Sequence, residues 1–278
     1  MNAPPTDTAN LLPLLDEQAR HDLARLNYPA PNWVPPSIGP DGKPLPDVLV
    51  VGAGMCGQTA AFALLKEGIC NLRVIDAAPF GREGPWGTYA RMETLRSPKH
   101  LTSPDLGVAS LTFRAWYEAQ HGASGWDSLY KIPRLEWADY LLWVRNVLGL
   151  LVENLTEVTG LELSGDLVLA RLHGPRGEEN AIARKVVLAL GRDGSGAPRW
   201  PQFASFNPDA EHSKASIFHS ADDIDFAALK GKRIGVLGAG ASAFDNAGAA
   251  LEAGAAAVTL TQVTTNSGVF DRGVSCRP

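Results

Sequence analysis

The sequence predicts an α/β fold containing two separate strand–turn–helix units, and three observations carry that prediction. The first is the run Val48-Leu49-Val50-Val51-Gly52-Ala53-Gly54-Met55-Cys56-Gly57, in which an apolar stretch leads directly into G-x-G-x-x-G. The second is a turn of the same kind, Arg233-Ile234-Gly235-Val236-Leu237-Gly238-Ala239-Gly240-Ala241-Ser242-Ala243, with Ala in the third position. The third is the Ala- and Leu-rich helical run that follows each turn. This order is a dinucleotide fingerprint. The first glycine (Gly52, Gly238) permits the tight turn, and the second (Gly54, Gly240) lets backbone approach a pyrophosphate. The third position (Gly57, Ala243) lets helix pack close on strand, and the helix N-terminus faces the phosphates. Both units therefore read as Rossmann-like, and two of them predict two nucleotides in one protein.

The elements follow in order. Residues 1–46 read as an N-terminal helix and a connector: apolar positions recur at helical spacing from Leu14 to Leu26, and the Pro-rich stretch 29–46 is extended. After the first turn, a helix over 59–66 stops at Gly68, and the strand Leu72–Ile75 ends in Asp76. An acid about 20 residues past the turn, at the end of the second strand, accepts hydrogen bonds from ribose hydroxyls. Asp76 thus points to an unphosphorylated adenosine ribose, as in FAD or NAD. Residues 77–111 are irregular and rich in Gly, Pro, Arg and Ser. Helices are expected over 113–120 and 134–148, the second with Trp137, Tyr140, Leu141, Trp143 and Val144 on its apolar side. Strands are expected over 157–163, 167–172 and 182–190, with turns at Gly165-Asp166 and Gly174-Pro175-Arg176-Gly177. This meander returns to the apolar run Val186-Val187-Leu188-Ala189-Leu190-Gly191.

In the second unit a helix over 244–252 leads to Gly254 and the strand Ala257–Thr261. No acid ends that strand; Gln262, Thr264 and Thr265 stand there instead. A carboxylate would repel a 2′-phosphate, so its absence favours NADP, with NAD still possible. An NADP site also normally supplies an arginine, and the nearest is Arg272. Residues 47–200 and 201–278 are expected to form the first and second nucleotide domains.

Composition adds limits. The 278 residues, 45% hydrophobic and 20% charged, are ordinary for a globular protein. A net charge of −5 gives no reason to expect nucleic acid or an anionic membrane as partner. Cys56, Cys70 and Cys276 form no C-x-x-C, and the six histidines show no ligand spacing, so no metal is expected. Cys56 and Cys70 stand in core-like contexts and read as buried thiols in a reducing cytoplasm. No apolar run is long enough to span a membrane. The run Leu11-Leu12-Pro13-Leu14-Leu15 meets Asp16 and Glu17 at once, which argues against a secretory signal. A homo-oligomer stays open.

Further motifs lie between and beside the turns: Gly84-Pro85-Trp86, then Leu95-Arg96-Ser97-Pro98-Lys99 through Ser103-Pro104-Asp105. They continue with Pro133-Arg134-Leu135-Glu136-Trp137-Ala138-Asp139-Tyr140-Leu141, Leu155-Thr156-Glu157-Val158 and Leu188-Ala189-Leu190-Gly191. Across most of residues 47–260 the chain resembles class B flavoprotein monooxygenases: flavin-containing monooxygenases, Baeyer–Villiger enzymes and the lysine/ornithine N-hydroxylases. The resemblance implies a Rossmann-like FAD domain with a β-meander crossover, followed by a partial second Rossmann-like NAD(P) domain. It implies that Trp86 lies near the flavin and that the strand at Val158 meets the adenine through its backbone. It implies that Gly191 belongs to the link between the domains. Ser97 and Lys99 become the candidates for chemistry, with His100 beside them, and Ser242 a phosphate contact by backbone or hydroxyl. Arg91 and Arg96 are candidates for a phosphate or a substrate carboxylate, or else solvated surface arginines.

The implied activity is reduction of FAD by NADPH, followed by reaction with molecular oxygen to a flavin C4a-hydroperoxide that oxygenates a small-molecule substrate. The flavin supplies this chemistry; the protein supplies position and excludes water. Three departures stand out. The F-x-G-x-x-x-H motif survives only as Phe218-His219-Ser220, and Ser97 stands where flavin-containing monooxygenases commonly have Asn. The sequence also stops before the strands with which the family closes its FAD domain, so a C-terminal truncation or a shifted reading frame is expected. Two alternatives remain: a flavin-dependent reductase without oxygenation, its disulfide-reductase form disfavoured by the missing C-x-x-C, and a nucleotide-binding fragment without turnover.

Overall fold

A computed structural model describes residues 10–40, 42–101, 103–192, 194, 196, 198–200 and 216–262, and the backbone of 274–276. The chain divides into two compact units, one of Met1–Gly87 with Thr94–Gly196, the other of Thr88–Glu93 with Ala197–Pro278.

The first unit opens with helix α1 (Leu12–Arg25) and then builds its Rossmann-like unit from strand β1 (Val48–Val51), helix α2 (Met55–Lys66) and strand β2 (Leu72–Ile75). Helix α3 (Phe113–Ser128) and helix α4 (Arg134–Leu148) follow, then strands β3 (Glu157–Ser164), β4 (Leu167–Gly174), β5 (Gly177–Ala183) and β6 (Lys185–Leu188). A parallel sheet has the order β2-β1-β6, with Val50 opposite Val74 and Val187, and an antiparallel meander has the order β3-β4-β5. All four residues of β1 are buried, as a central parallel strand covered on both faces requires. Its residues alternate between two cores, following the period of two. Val48 and Val50 face Phe62, Tyr140 and Val144 on the helical side, whereas Leu49 and Val51 face Ala170, Leu172, Ala181 and Ala183 on the meander side.

Several boundaries differ from the sequence reading. Helix α2 begins directly at the turn, with Gly54 as its N-cap. Helix α3 continues past Gln120 to Ser128, across a break at Gly122 where φ is +70°. The strand expected over 182–190 is two strands in two sheets, because the chain changes sheet at Arg184. There Arg184 N–H donates to the Pro46 carbonyl at 3.2 Å and its guanidinium to Asp47 Oδ1 at 3.0 Å. Cys56 is exposed rather than buried, because its place in the first turn of α2 faces away from the sheet; Cys70 is half-buried, its thiol donating to the Ala30 carbonyl at 3.0 Å.

In the second unit, strand β7 (Arg233–Leu237), helix α5 (Ala241–Glu252) and strand β8 (Ala257–Thr261) repeat the arrangement, with β7 and β8 parallel and Val236 opposite Leu260. Strand β9 (Val274–Cys276) runs antiparallel to β8. The core is small: Ala247, Ala250, Ala255 and Val258, packed by Phe226, Ile234, Val236, Leu251 and Leu260. Alanines on the inner face of α5 bring the helix close to the strands. Thr264, Thr265 and Arg272 lie outside the described residues. Among the described residues no helix is long and apolar enough to cross a membrane, and no group of three or more His, Cys, Asp or Glu is placed to hold a metal.

Candidate functional site

Each glycine of the first turn has its own geometric reason. Gly52 takes φ +98°, a left-handed value that favours glycine, and a Cβ there would stand 2.5 Å from the Ala189 carbonyl oxygen. A Cβ on Gly57 would lie 1.7 Å from the Gly52 carbonyl oxygen, so α2 can sit on the turn only while residue 57 has no side chain. Gly54 is different. A Cβ there would make only ordinary contact, 3.6 Å from Gly84 Cα and 3.7 Å from Gly84 N. The turn at Gly54 therefore packs directly on the backbone of the loop after β2.

Asp76 strengthens this contact. Its Oδ2 accepts from Ala53 N–H at 2.6 Å and its Oδ1 from Ala78 N–H at 2.7 Å, so the acid ties the turn to the following loop. A carboxylate has about four acceptor positions, which leaves it able to accept from a ribose hydroxyl as well. The Ala53 carbonyl accepts from the buried Gln58 amide at 2.9 Å, so residue 53 is held through both its N–H and its carbonyl. No side chain caps α2, and no side chain intrudes between Gly54 and Gly84. A backbone turn at a helix N-terminus beside an acid offers the N–H donors a pyrophosphate takes and the acceptor a ribose hydroxyl takes.

The other residues singled out in the sequence fall around this unit. Trp86 is half-buried against the helical core, and its carbonyl accepts from the Arg134 guanidinium of α4. Val158 lies half-buried on β3 opposite Leu172, packed against the core that holds Leu49, Val51 and Ile75. Gly191 follows β6 in the left-handed region at φ +61°, exposed and with open space around it. Ser97 is exposed in the irregular segment. Lys99 is committed elsewhere: its ammonium donates to the Trp126 carbonyl and lies 4.6 Å from the centre of the Trp126 ring. His100 meets the same ring edge-on at 5.9 Å. Ser97 and Lys99 thus show no shared hydrogen-bond network among the described residues.

The sequence reading missed the residues that hold the loop after β2. Glu83 forms an ion pair with Arg145 of α4, and Asn154 bonds to both. One signal was available: Arg145 interrupts the apolar face of α4 directly after Val144, in a helix whose buried residues are otherwise uncharged. A second buried network runs from Tyr140, whose hydroxyl reaches the Leu111 carbonyl at 2.7 Å and Ser103 Oγ at 2.9 Å, while Ser103 Oγ–H donates to Asp105 at 2.6 Å. Burial pushes the Tyr140 hydroxyl well above the ordinary phenol range, so it stays a neutral hydrogen-bonding strut.

In the second unit the turn is open. Gly238 takes φ +133°, and a Cβ there would meet only Ala243 Cβ, at 3.6 Å. Gly240 caps α5 with nothing near a would-be Cβ. Ser242 lies in the first turn of α5, and its carbonyl accepts from the Asn246 side chain at 2.7 Å. A cavity of about 380 Å³ is lined by Leu237, Gly238, Ala239, Gly240 and Gln262. His219 is used locally: its N–H donates to Asp222 Oδ2 at 2.7 Å, and its ring nitrogen accepts from Ala221 N–H at 3.2 Å. Arg91 donates to the Thr88 and Asp222 carbonyls and lies over the Phe226 ring.

Residues 49–193 match the FAD-NAD(P)-binding family, and residues 127–273 match the L-lysine 6-monooxygenase/L-ornithine 5-monooxygenase family. The chain belongs to this group of FAD- and NAD(P)-binding monooxygenases. Its similarity to the FAD-dependent urate hydroxylase of Xanthomonas campestris pv. campestris is 50% identity over 242 residues, which is 87% of this chain and 50% of that relative. The chain therefore spans about half the length of the curated relative it matches. The same fold occurs in the ornithine N-hydroxylase of Kutzneria sp. 744, at TM-score 0.62 and 20% identity over 80% of this chain and 54% of the other. It occurs also in the bacillithiol disulfide reductase of Bacillus cereus, at TM-score 0.58 and 21% identity over 80% of this chain and 60% of the other. The family membership accords with two Rossmann-like units, the first containing a β-meander, the α/β flavoprotein architecture expected from the two turns.

Proposed function

We propose that the chain is the nucleotide-binding part of a FAD-dependent monooxygenase that uses NAD(P)H and molecular oxygen to place one oxygen atom on a small molecule. The observation that carries this reading is the first glycine turn: a crowded Gly52–Gly57 pair, an open Gly54 facing Gly84, and Asp76 at the end of β2. Gly52, Gly54 and Gly57 shape the pyrophosphate site, Asp76 receives the adenosine ribose, and Val158 borders the adenine. Trp86 covers the flavin side. When bound, FAD supplies the redox and oxygen chemistry; the residues of this chain hold it and keep water out.

Gly238, Gly240, Ser242 and Ala243 form the second nucleotide site. Gln262 at the end of β8, where an acid would exclude a 2′-phosphate, favours NADP(H) over NAD(H). The substrate is proposed to be a purine-like heterocycle of the urate type, because the relative with that activity is 50% identical. Ser97 and Lys99 remain the candidates for chemistry by resemblance to the family. A cytoplasmic location suits these cofactors.

Anaerobic mixing of the flavin-loaded chain with NADPH or NADH tests the reading. Faster loss of flavin colour with NADPH is expected, and faster loss with NADH overturns the NADP preference. Admission of oxygen with urate present should then consume urate with NADPH. Reduction without any urate consumption favours a reductase, and no reduction by either nucleotide favours nucleotide binding without turnover.

A further inference from the structure

The loop after β2 is held by a buried ionic network that the fingerprint does not require. Arg145 Nη1 donates to Glu83 Oε1 at 2.6 Å, with the two side chains only 7% and 3% exposed. Asn154 completes the arrangement. Its Nδ2 donates to the same Glu83 oxygen at 2.6 Å and to the Ala78 carbonyl at 3.0 Å, and its Oδ1 accepts from Arg145 Nη2 at 3.2 Å. The Arg145 guanidinium also lies 4.8 Å from the centre of the Phe80 ring. Ala78, Phe80 and Glu83, three points on one loop, are thus fixed by Arg145 from α4 and by Asn154 from the segment before β3.

Stability alone is a weak reason for these charges. Desolvating an ion pair is expensive, and apolar side chains of similar volume commonly stabilise such a site as well or better. What the loop touches supplies another reason. Glu83 immediately precedes Gly84, which packs directly on Gly54, its Cα and N lying 3.6 and 3.7 Å from where a Cβ on Gly54 would stand. At the loop's other end, Ala78 N–H is bound by Asp76, which also holds Ala53 of the glycine turn. The network thus sits behind the loop on which the glycine turn rests.

We propose that Glu83, Arg145 and Asn154 are positioning residues for FAD, holding the 78–84 loop so that Gly84 seats the glycine turn, whose backbone at the N-terminus of α2 receives the pyrophosphate. The proposal rests on the reading of the first turn as the FAD site. A single substitution leaves one ion buried and unpaired and can unfold the protein. The double variant Glu83→Leu with Arg145→Met removes both charges at similar volume and avoids that. The 278-residue chain is stripped of flavin, and FAD affinity is titrated together with the visible circular dichroism of the bound flavin and the melting temperature of the apoprotein. Supporting partners around a bound metal are worth ~10–100-fold in affinity, and a loss of that order in FAD affinity is expected here. The flavin dichroism should change while the apoprotein melts within a few degrees of wild type. A folded double variant with wild-type FAD affinity and dichroism overturns the proposal. If the double variant does not fold, Asn154→Ala, which leaves the ion pair intact, carries the same test. Weaker FAD binding there supports the proposal, and unchanged binding overturns it. A wild-type chain without affinity for FAD overturns the reading of the turn, and the proposal with it, and is distinguishable because no variant is then needed to see it.

Discussion

Two glycines three positions apart should separate folding from cofactor binding. In Gly54→Val the new Cβ meets Gly84 at 3.6–3.7 Å, an ordinary contact, and Gly54 has φ −66°, which any residue adopts. The main structural cost is the loss of a good N-cap residue, about 1 kcal/mol. For a chain of this size that is roughly 2–4 °C in melting temperature. The valine methyl groups nevertheless stand at the N-terminus of α2, where the pyrophosphate is proposed to approach the backbone, so the purified protein should carry no visible flavin absorbance. In Gly57→Ala the Cβ would lie 1.7 Å from the Gly52 oxygen and 2.8 Å from its carbon. Both are backbone atoms, so α2 must lift away from the turn. Overpacking costs about 1–3 kcal/mol where side chains can shift, and here the upper end is the minimum. At 3 kcal/mol the melting temperature falls by roughly 6–12 °C, and flavin is lost as well. Thermal melts followed by circular dichroism, with flavin content read from absorbance, check both. Wild-type flavin content in Gly54→Val, or an unshifted melt in Gly57→Ala, refutes the geometry argued for the turn.

Further expectations concern the second turn and one desolvated acid. Gly240→Ala has open space around its new Cβ and φ −81°, so the fold should tolerate it, whereas NADPH affinity measured by titration should fall; unchanged affinity removes Gly240 from the site. Burial raises the Glu136 carboxyl above the ordinary range, opposed by His121, whose Nε2 lies 3.5 Å from Glu136 Oε2. Because the folded state then holds the proton more tightly than the unfolded state, this group's contribution to stability declines as pH rises from the ordinary carboxylate range through the raised value. Glu136→Gln should flatten that slope and match or exceed wild-type stability at neutral pH. Urea titrations across that pH window, showing the same slope in both proteins, would contradict it.

Local pattern made much of this fold legible. Strands Leu72–Ile75 and Ala257–Thr261 and helix Arg134–Leu148 stand where periodicity and flanking residues place them, the helix ended by Gly149 in the left-handed region. β5 was hidden because its first half, Glu178-Glu179-Asn180, is exposed on both faces and shows no alternation. The change of sheet at Arg184 was hidden because the apolar character runs on through Val186, and only the pairing with Asp47 and Pro46 marks the switch. The clamp on the loop after β2 joins residues 62 and 71 positions apart, and no local period reports such a contact. Ser97 and Lys99 came from likeness to a family rather than from any pattern of their own; the structure adds that the Lys99 ammonium donates to the Trp126 carbonyl and lies over its ring.

The two turns share a motif and differ in enclosure, and the difference suits the roles proposed for them. In the first, an acid holds the turn to the loop through the Ala53 N–H, Gln58 holds the Ala53 carbonyl, and an ionic network backs the loop. A site so braced loses little order when a ligand binds, which favours a tightly held group. In the second, among the described residues, nothing lies within 4 Å of a would-be Cβ on Gly240, no acid ends the second strand, and the adjoining cavity is lined largely by the backbone of the turn. Among those residues the site presents a helix N-terminus to phosphates without a comparable brace. A nicotinamide cofactor that is used up at every turnover must leave and be replaced, whereas a flavin must stay. One fingerprint serves both because retention is set by what surrounds the turn rather than by the three glycine positions.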